Sequence, residues 1–515
     1  MKINIDVNAE TIPTDFSWQF GLGADHASQF QRIDVIEQLK TVHEELGFEH
    51  IRFHGILDDD MYTYQNLKCF SPIPGNNIKV KEINFRQVGN VYDNILSCGM
   101  EPFVEISFMP SLLASGKKTG LHYKNNTTLP YDYSVWEDYI EQFIKFLIQR
   151  YGQDRIEGWY FEIWNEPDLK GFFSGKQIEY FKLYQSTVRA IKRVDKKIRV
   201  GGPSTSACKW VDEFMDFCKR TDTPFDFITT HHYPGDAFGN LITPHSYGSM
   251  AKIMLNSCKQ EKDLDVTMSE MFFHPEAAAN VPKGSVTLMD DKLLAQTGDI
   301  PTFISEWNSM AIYCAPIHDE KYSAAFVIKT ALDLNNKFKG YMFWCLSDIY
   351  EEILQLNHPF FGGFGIMSVD GIPKPNFWAF KMLSELYPNR IVGSFRTNEK
   401  VEYAVFREKN KLQVIIYAQT NSPKENEQFD IDINIDHVID HVSAEVIDDD
   451  HCNPKRVWIA MGKPENLSNE QIQKIKDESH ICSKTVPVST ENNQSKFHCT
   501  LKSNDIYLYT AILGD

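Results

Sequence analysis

Between residues 18 and 380 the sequence alternates short apolar runs, typical of buried strands, with longer amphipathic runs, typical of helices. Residues 50–53, 159–164 and 302–306 are predicted strands, and residues 33–45 and 134–150 are predicted helices. About eight strand–helix units in succession predict an α/β fold, a (β/α)8 TIM barrel. An open doubly wound sheet is the alternative, but no glycine-rich phosphate motif follows an early strand, which favours the barrel.

The pattern of predicted strands and helices changes after the predicted barrel, which we assign to residues 16–385. Residues 386–515 contain short alternating strands and one helix with a capping pattern, and they predict an accessory antiparallel β-sandwich. Residues 1–15 hold a further alternating strand that we expect to join this sandwich. Within the barrel, residues 234–298 are too long for an ordinary loop. They are a predicted insertion, which could be a lid or a contact between copies in a homo-oligomer.

The composition restricts the partners of this chain. With 52 basic and 70 acidic residues the net charge is −18, which argues against nucleic acid and anionic membrane surfaces as partners. No apolar run is long enough to span a membrane, and the N-terminus does not read as a signal peptide. The 10 cysteines form no CxxC pair and predict reduced thiols. We therefore expect a cytoplasmic protein with a small neutral substrate.

Two predicted strands lead directly to a glutamate that follows an apolar run. Glu166 stands between Asn165 and Pro167 after residues 158–164, and Glu306 closes the run 301–305. Because proline disfavours helical geometry at the preceding residue, we expect an extended backbone at Glu166.

The predicted barrel would place these glutamates at the C-terminal ends of its fourth and seventh strands, where barrel enzymes carry their sites. Two facing carboxylates can cleave a glycosidic bond, one as acid and the other as nucleophile. Asn165 could then hydrogen-bond the sugar 2-hydroxyl. The alternative is structural, with Glu166 as a helix cap and Glu306 as a salt-bridge partner.

Several segments resemble glycoside hydrolase family 39, whose members include β-xylosidases and α-L-iduronidases. The longest is Trp-Tyr-Phe-Glu-Ile-Trp-Asn-Glu-Pro-Asp-Leu at residues 159–169. The others lie at residues 51–60, 105–110, 230–233, 304–308, 344–352 and 361–365. In the predicted sandwich, residues 458–467 are similar to the bacterial xylosidase branch. One departure is Phe361, which stands where a histidine often precedes the Gly-Gly-Phe-Gly motif.

The resemblance implies a retaining mechanism with Glu166 as acid/base and Glu306 as nucleophile. It also implies a set of residues around the sugar: His54, Asn165, Phe172, His231, Tyr233, Trp344, Glu351 and Glu352. No metal and no organic cofactor is expected. Chemically, Tyr233 and His231 can hydrogen-bond the nucleophile or the sugar, and Trp344 offers an apolar face.

The predicted function is that of an exo-acting glycosidase that releases β-xylosyl units from short oligosaccharides. Three alternatives stay open. The first is another sugar on the same scaffold, such as a β-glucoside, an α-L-arabinoside or an α-L-iduronide. The second is a metal-dependent barrel hydrolase that uses His54, His231, His232 and a carboxylate. The third is a sugar-binding barrel without catalysis.

Overall fold

Eight parallel strands close into a barrel, which confirms the predicted fold class. The computed structural model describes residues 1–68, 79–234, 285–311, 313–352, 358–395, 399–420 and 425–514. In chain order its strands are β1 (Lys2–Ile5), β2 (Thr11–Pro13), β3 (Gly21–His26), β4 (His50–His54), β5 (Tyr64–Lys68), β6 (Lys79–Ile83), β7 (Glu101–Ile106), β8 (Thr119–Gly120), β9 (Asn125–Asn126), β10 (Tyr160–Ile163), β11 (Arg199–Thr205), β12 (Phe227–His232), β13 (Thr302–Trp307), β14 (Gly340–Phe343), β15 (Asn389–Ile391), β16 (Glu402–Glu408), β17 (Lys411–Tyr417), β18 (Gln428–Ile435), β19 (Ile439–Ile447), β20 (Lys484–Thr485), β21 (Ser489–Glu491), β22 (Gln494–Lys502) and β23 (Ile506–Leu513). The barrel strands are β3, β4, β7, β10, β11, β12, β13 and β14.

Helices connect the barrel strands and cover their outer face. The α-helices are α1 (Ile33–Leu46), α2 (Arg86–Ser97), α3 (Tyr133–Tyr151), α4 (Gln153–Gly158), α5 (Gln177–Val194), α6 (Val211–Arg220), α7 (Ser285–Thr297), α8 (Lys321–Leu334), α9 (Pro375–Ser384), α10 (Pro454–Ala460) and α11 (Asn469–Glu478). No helix in the described ranges is long and apolar enough to cross a membrane. Local chemistry sets the helix ends. Asp132 caps α3 by accepting from Ser134 N, and Gly47 ends α1 in the left-handed conformation.

The interior of the barrel contains an aromatic floor below the carboxyl ends of the strands. Phe103, Tyr160, Phe227 and Phe303 pack together with Met342, and the Tyr160 and Phe303 rings lie 4.9 Å apart. Each comes from a different strand, as expected when alternate residues point into a closed barrel. The floor fills the lower half of the barrel and leaves its upper half for polar side chains.

The C-terminal part of the chain forms two facing sheets. One has four strands in the order β1-β18-β22-β21, and the other has seven in the order β2-β15-β16-β17-β23-β19-β20. Ile5, Ile433, Val414 and Tyr509 share the apolar core between the sheets. The N-terminal strand β1 pairs in parallel with β18, so the chain begins in the sandwich before it enters the barrel.

Two helices accompany the sandwich, although the sequence predicts only one. The helix predicted after Ser468 is present as α11, and Ser468 caps it. The additional helix is α10, whose start carries Asn453 as a capping residue and a proline in its first turn. The asparagine and the proline are both helix-start signals that the sequence contains.

The predicted insertion at residues 234–298 falls largely on residues 235–284, outside the described ranges. Within the insertion the sequence predicts a helix at residues 247–259 and a segment with Gly, Pro and Ala at residues 275–284, and both lie outside the described ranges. The last part of the insertion is the helix α7, which connects β12 to β13 and so takes the place of an ordinary crossover helix.

Candidate active site

A polar layer lies directly above the aromatic floor, at the carboxyl ends of the strands. Residues two apart on a strand point to the same side, so Glu105 lies above Phe103 and Glu162 lies above Tyr160. Both glutamates are buried. Ser305 lies at the same level, and its hydroxyl donates to Glu162 Oε1 at 2.9 Å. Acidic side chains in such a place need a cation.

Arg52 is that cation, and it is fully buried at the centre of the layer. Its Nε donates to Glu162 Oε2 at 2.6 Å, and its Nη1 donates to Glu306 Oε1 at 2.8 Å. Its Nη2 lies 2.8 Å from Glu105 Oε2 and donates to Asn165 Oδ1 at 2.9 Å. Burial by itself lowers the pKa of Arg52, but the surrounding carboxylates outweigh it and raise that pKa. Arg52 therefore stays charged and holds the site together.

No role in the site was predicted for Arg52, Glu105 or Glu162. A signal was available, because each is a charged residue in the middle of a predicted buried strand: Ile-Arg-Phe, Val-Glu-Ile and Phe-Glu-Ile. Charged residues are almost never fully buried unless they are paired. Three such positions on neighbouring strands could therefore have been read as one internal ion network.

Glu306 reaches the site through a register irregularity in β13. Thr230 of β12 pairs with Ile304, whereas the next residue, His231, pairs with Glu306. Regular alternation would turn Ser305 inward and Glu306 outward. The irregularity acts as a β-bulge, which redirects the side chains that follow it, and both Ser305 and Glu306 face the barrel interior.

Both oxygens of Glu306 accept hydrogen bonds from neighbouring donors. Arg52 Nη1 donates to Oε1 at 2.8 Å, and the Tyr233 hydroxyl donates to Oε2 at 2.9 Å. A carboxylate fixed by two donors has one orientation, which suits attack on a substrate carbon.

Glu166 faces Glu306 across the site and has a different environment. Burial raises the pKa of Glu166 to about 8, and the charge of nearby Asp168 acts in the same direction. One oxygen of Glu166 and one of Glu306 lie within 4.8 Å of each other. Such closeness is compatible with the separation of about 5–5.5 Å between carboxyl groups in retaining glycosidases. The pair thus combines a protonated acid with an oriented carboxylate.

The prediction of an extended backbone at Glu166 was wrong. Its φ is +39°, and the strand β10 ends earlier, at Ile163. Pro167 disfavours the right-handed helical region for Glu166, but the chain takes the left-handed region instead. The Glu166 N–H donates to Ser204 O at 2.8 Å, which stabilises this turn.

His231 contacts Glu166 and is neutral. Its Nδ1 lies 2.9 Å from Glu166 Oε1, and burial lowers the pKa of His231 to about 4. Arg52 Nη2 lies 3.4 Å from the other ring nitrogen, Nε2. Because an arginine can only donate, Nε2 is the acceptor and Nδ1 carries the ring proton. His231 then donates to Glu166 Oε1 and leaves Oε2 as the oxygen that carries the acid proton.

His54, Phe172 and Trp344 form one wall of the site. The His54 ring centre lies 4.8 Å from that of Trp344 and 6.1 Å from that of Phe172. Burial lowers the pKa of His54, but the Glu105 carboxylate, 2.8 Å from Nδ1, outweighs it and raises that pKa to about 9. Gly23 makes room for the wall, since a Cβ there would lie 2.3 Å from Trp344 Cε3. The wall combines apolar faces with a charged donor.

Asn165 has an unused donor in this site. Its Oδ1 accepts from Arg52, which leaves its Nδ2 buried with no hydrogen-bond partner among the described residues. A buried amide donor without a partner is costly unless a ligand completes it. Asn165 can therefore donate to a bound hydroxyl.

The structure separates the two adjacent glutamates Glu351 and Glu352. Glu352 is buried, and burial raises its pKa to about 8, with the positive charge of His54 acting in the opposite direction. Glu351 turns away and pairs with Arg32 at 2.7 Å, with 33% of its side chain exposed. Glu352 thus lies with the predicted site residues, and Glu351 lies outside them.

The same site contains a set of groups that could hold a metal ion: Glu166, His231 and Glu306. The Glu306 oxygens already accept from Arg52 and Tyr233, so a cation would have to displace both donors and lie beside the arginine charge. These residues fit proton transfer better than metal coordination. His232, which the metal-dependent alternative requires, points to α7, where its Nδ1 lies 2.9 Å from Asp290 Oδ1.

Comparisons with known proteins agree with this geometry. The sequence profile of glycosyl hydrolases family 39 matches residues 1–291 and 275–495. A β-xylosidase of Caldicellulosiruptor saccharolyticus is 36% identical over 499 residues, which cover 96% of this chain and 94% of that protein. A β-xylosidase of Geobacillus stearothermophilus is 29% identical over 464 residues, 89% of this chain and 85% of that protein.

A solved structure extends the similarity to the whole fold. The GH39 β-xylosidase of Caulobacter crescentus superposes with a TM-score of 0.76 at 26% identity. The match covers 99% of this chain and 100% of that one. The resemblance inferred from the sequence motifs is thereby confirmed, and the chain is a glycoside hydrolase that belongs to glycosyl hydrolases family 39.

Proposed function

We propose that this chain is a retaining, exo-acting β-xylosidase that releases β-xylosyl units from short xylo-oligosaccharides or β-xylosides. The observation that carries the mechanism is the facing pair Glu166 and Glu306, with one oxygen of each within 4.8 Å. The β-xylosyl assignment is supported by the β-xylosidase relatives.

In the first step Glu166 gives its proton to the glycosidic oxygen. A Glu306 oxygen attacks the anomeric carbon, and the bond between that carbon and the leaving group breaks. In the second step the Glu166 carboxylate takes a proton from water. The water oxygen attacks the anomeric carbon and releases Glu306, so the sugar leaves with its original configuration.

The other site residues are proposed to bind the sugar in the cleavage position. Asn165 Nδ2 is free to donate to the 2-hydroxyl, and Trp344 with Phe172 offers apolar faces for the ring. His231 and Tyr233 orient the two carboxylates. Glu352, rather than Glu351, is the acceptor proposed for a sugar hydroxyl.

A neutral sugar fits this site better than a uronide. A uronide carboxylate would need a cation, and among the barrel segments that resemble the family Arg52 is the Lys or Arg residue present. Arg52 is engaged instead by Glu105, Glu162 and Glu306 in the polar layer, and the charged ring of His54 is engaged by Glu105. This contact pattern favours a xyloside over an α-L-iduronide.

We also propose a cytoplasmic location, supported by the cysteines of the described residues, which are free thiols. Fractionation of the producing cells tests it. The homo-oligomer stays a prediction, which light scattering of the purified protein tests.

A panel of aryl glycosides tests the proposed function with Glu306→Ala and Glu166→Ala. We expect β-xylosides to be the best substrates and Glu306→Ala to abolish turnover. Glu166→Ala should retain activity on good leaving groups and form a β-configured glycosyl azide when azide is added, because azide needs no general base. Equal losses on good and poor leaving groups in Glu166→Ala would contradict the acid/base assignment.

A further inference from the structure

Asp168 lies two residues after the proposed acid/base Glu166 and is joined to a different loop. Its Oδ1 accepts from Ser206 N at 2.9 Å, and its Oδ2 accepts from Ser206 Oγ at 2.5 Å. Lys209 Nζ contacts the same Oδ2 at 3.1 Å. Only 2% of the Asp168 side chain is exposed, against 42% of the Lys209 side chain. A buried carboxylate thus connects the turn after β10 to the turn after β11.

Both turns have backbone that needs such support. Positive φ angles occur at Trp164 (+75°) and Glu166 (+39°) in the first turn, at Ala207, Cys208 and Trp210 in the second, and at Ser204 near the end of β11. A positive φ is unfavourable for a non-glycine residue and persists when surrounding contacts enforce it. The contacts between the turns include those of Asp168 with Ser206 and Lys209, and Glu166 N also donates to Ser204 O at the end of β11.

We propose that Asp168 is a positioning residue for Glu166, holding the acid/base turn on the Ser206 turn, with Lys209 as its exposed counter-charge. The proposal rests on the acid/base role proposed for Glu166. Asp168 touches neither substrate nor reacting atoms in this scheme. Asp168 holds the Glu166 carboxyl at a position from which that carboxyl can protonate a leaving group. Asp168 also places a negative charge beside the Glu166 carboxyl.

The charge of Asp168 raises the pKa of Glu166, and the charge of Lys209 lowers it. The two charges therefore oppose each other at the acid/base. The other charged or titratable groups around Glu166 belong to β4, β12 and β13: Arg52, His54, His231 and Glu306. These groups stay unchanged when only the Asp168–Lys209 pair is altered.

Variants of the full chain separate positioning from a merely structural role. Asp168→Asn removes the charge and the acceptor for Lys209 but keeps an oxygen for Ser206 N. Lys209→Met removes only the exposed cation, and it tests the proposal if Asp168→Asn folds poorly. Lys197→Met is the matched control, since Lys197 is 74% exposed, pairs with Glu157 and precedes β11 at the opposite end of the barrel.

We expect Asp168→Asn to lose about 10- to 100-fold in kcat/KM on poor leaving groups and much less on good ones. The alkaline limb of its pH profile should move to lower pH by about one unit, and that of Lys209→Met should move to higher pH. Lys197→Met should match the wild type.

Equal losses on all leaving groups would overturn the proposal, as would shifts of the same sign in the Asp168 and Lys209 variants. Failure of the proposed function is distinguishable. If the proposed sugar is wrong, the wild type does not turn over β-xylosides. The Asp168 and Lys209 variants are then measured on the aryl glycoside that the wild type does cleave. If Glu166 is not the acid/base, Glu166→Ala loses equal activity on good and poor leaving groups. If only the role of Asp168 is wrong, Glu166→Ala behaves as expected and the Asp168 and Lys209 variants do not.

Discussion

His231 Nδ1 lies 2.9 Å from Glu166 Oε1, and its imidazole is neutral at pH 7 because burial lowers its pKa to about 4. An imidazolium at this distance would stabilise the ionised form of Glu166. A neutral imidazole orients the carboxyl through a hydrogen bond without adding a positive charge. The contact is therefore compatible with a glutamate that begins the reaction protonated.

The first prediction concerns the pH dependence of catalysis. Because the pKa of Glu166 is raised to about 8, its acid form persists through neutral pH and is lost above that value. We expect kcat/KM for a poor leaving group to fall on the alkaline side as Glu166 loses its proton. Steady-state rates between pH 5 and pH 10 measure this limb. Its persistence in Glu166→Ala would assign it to another group.

The second prediction concerns stability. Burial raises the pKa of Glu166 from 4.5 to about 8, so the native state binds this proton more tightly than the unfolded state does. The stabilisation is fully present below the unfolded pKa and is lost as the pH rises through the folded pKa. Glu166→Gln removes this dependence. We expect its Tm to exceed that of the wild type by a margin that widens from pH 5 to pH 8.

Thermal unfolding at several pH values measures this margin. Glu351→Gln is the control, because Glu351 is partly exposed and pairs with Arg32 outside the site. A constant difference between Glu166→Gln and the wild type across the range would refute the linkage.

The third prediction concerns the buried ion network. Arg52→Met leaves Glu105, Glu162 and Glu306 without their shared cation, and breaking a buried network costs about 3–5 kcal/mol of unfolding free energy. Urea unfolding measures that loss. Adding Glu105→Gln and Glu162→Gln to Arg52→Met should recover part of the stability. The activity should not recover, because Glu306 Oε1 still lacks the hydrogen bond from Arg52. A stable and active Arg52→Met would contradict the role assigned to Arg52.

The fourth prediction compares two adjacent glutamates. Glu352→Gln should lower kcat/KM by about 2- to 10-fold, because burial keeps Glu352 largely protonated at neutral pH and a hydrogen bond between neutral groups contributes about 0.5–1.5 kcal/mol. Glu351→Gln should change kcat/KM little, because Glu351 is held by Arg32. Steady-state kinetics on one aryl β-xyloside compares the two variants directly. The reverse order of effects would place Glu351 at the sugar.

Part of this site could be predicted from local sequence pattern. The alternation of strand and helix predicts the barrel, and counting strands assigns Glu166 and Glu306 to the fourth and seventh. Both follow from periodicities that repeat within a few residues. The side-chain contacts do not, since Arg52 and Glu306 are 254 positions apart. Charged residues inside apolar strands indicate that Arg52, Glu105 and Glu162 need partners, but no local pattern shows that Glu306 joins them.

The sequence by itself determined the fold class and the family, and it predicted the two glutamates that we propose perform the chemistry. Only the tertiary structure decided how they are presented. The irregularity between β12 and β13 turns Glu306 inward, and a left-handed turn after β10 carries Glu166 to face it. Barrel closure brings the Arg52 network together and separates Glu352 from Glu351. These features depend on strand register and on burial, which exist only once distant segments pack against one another.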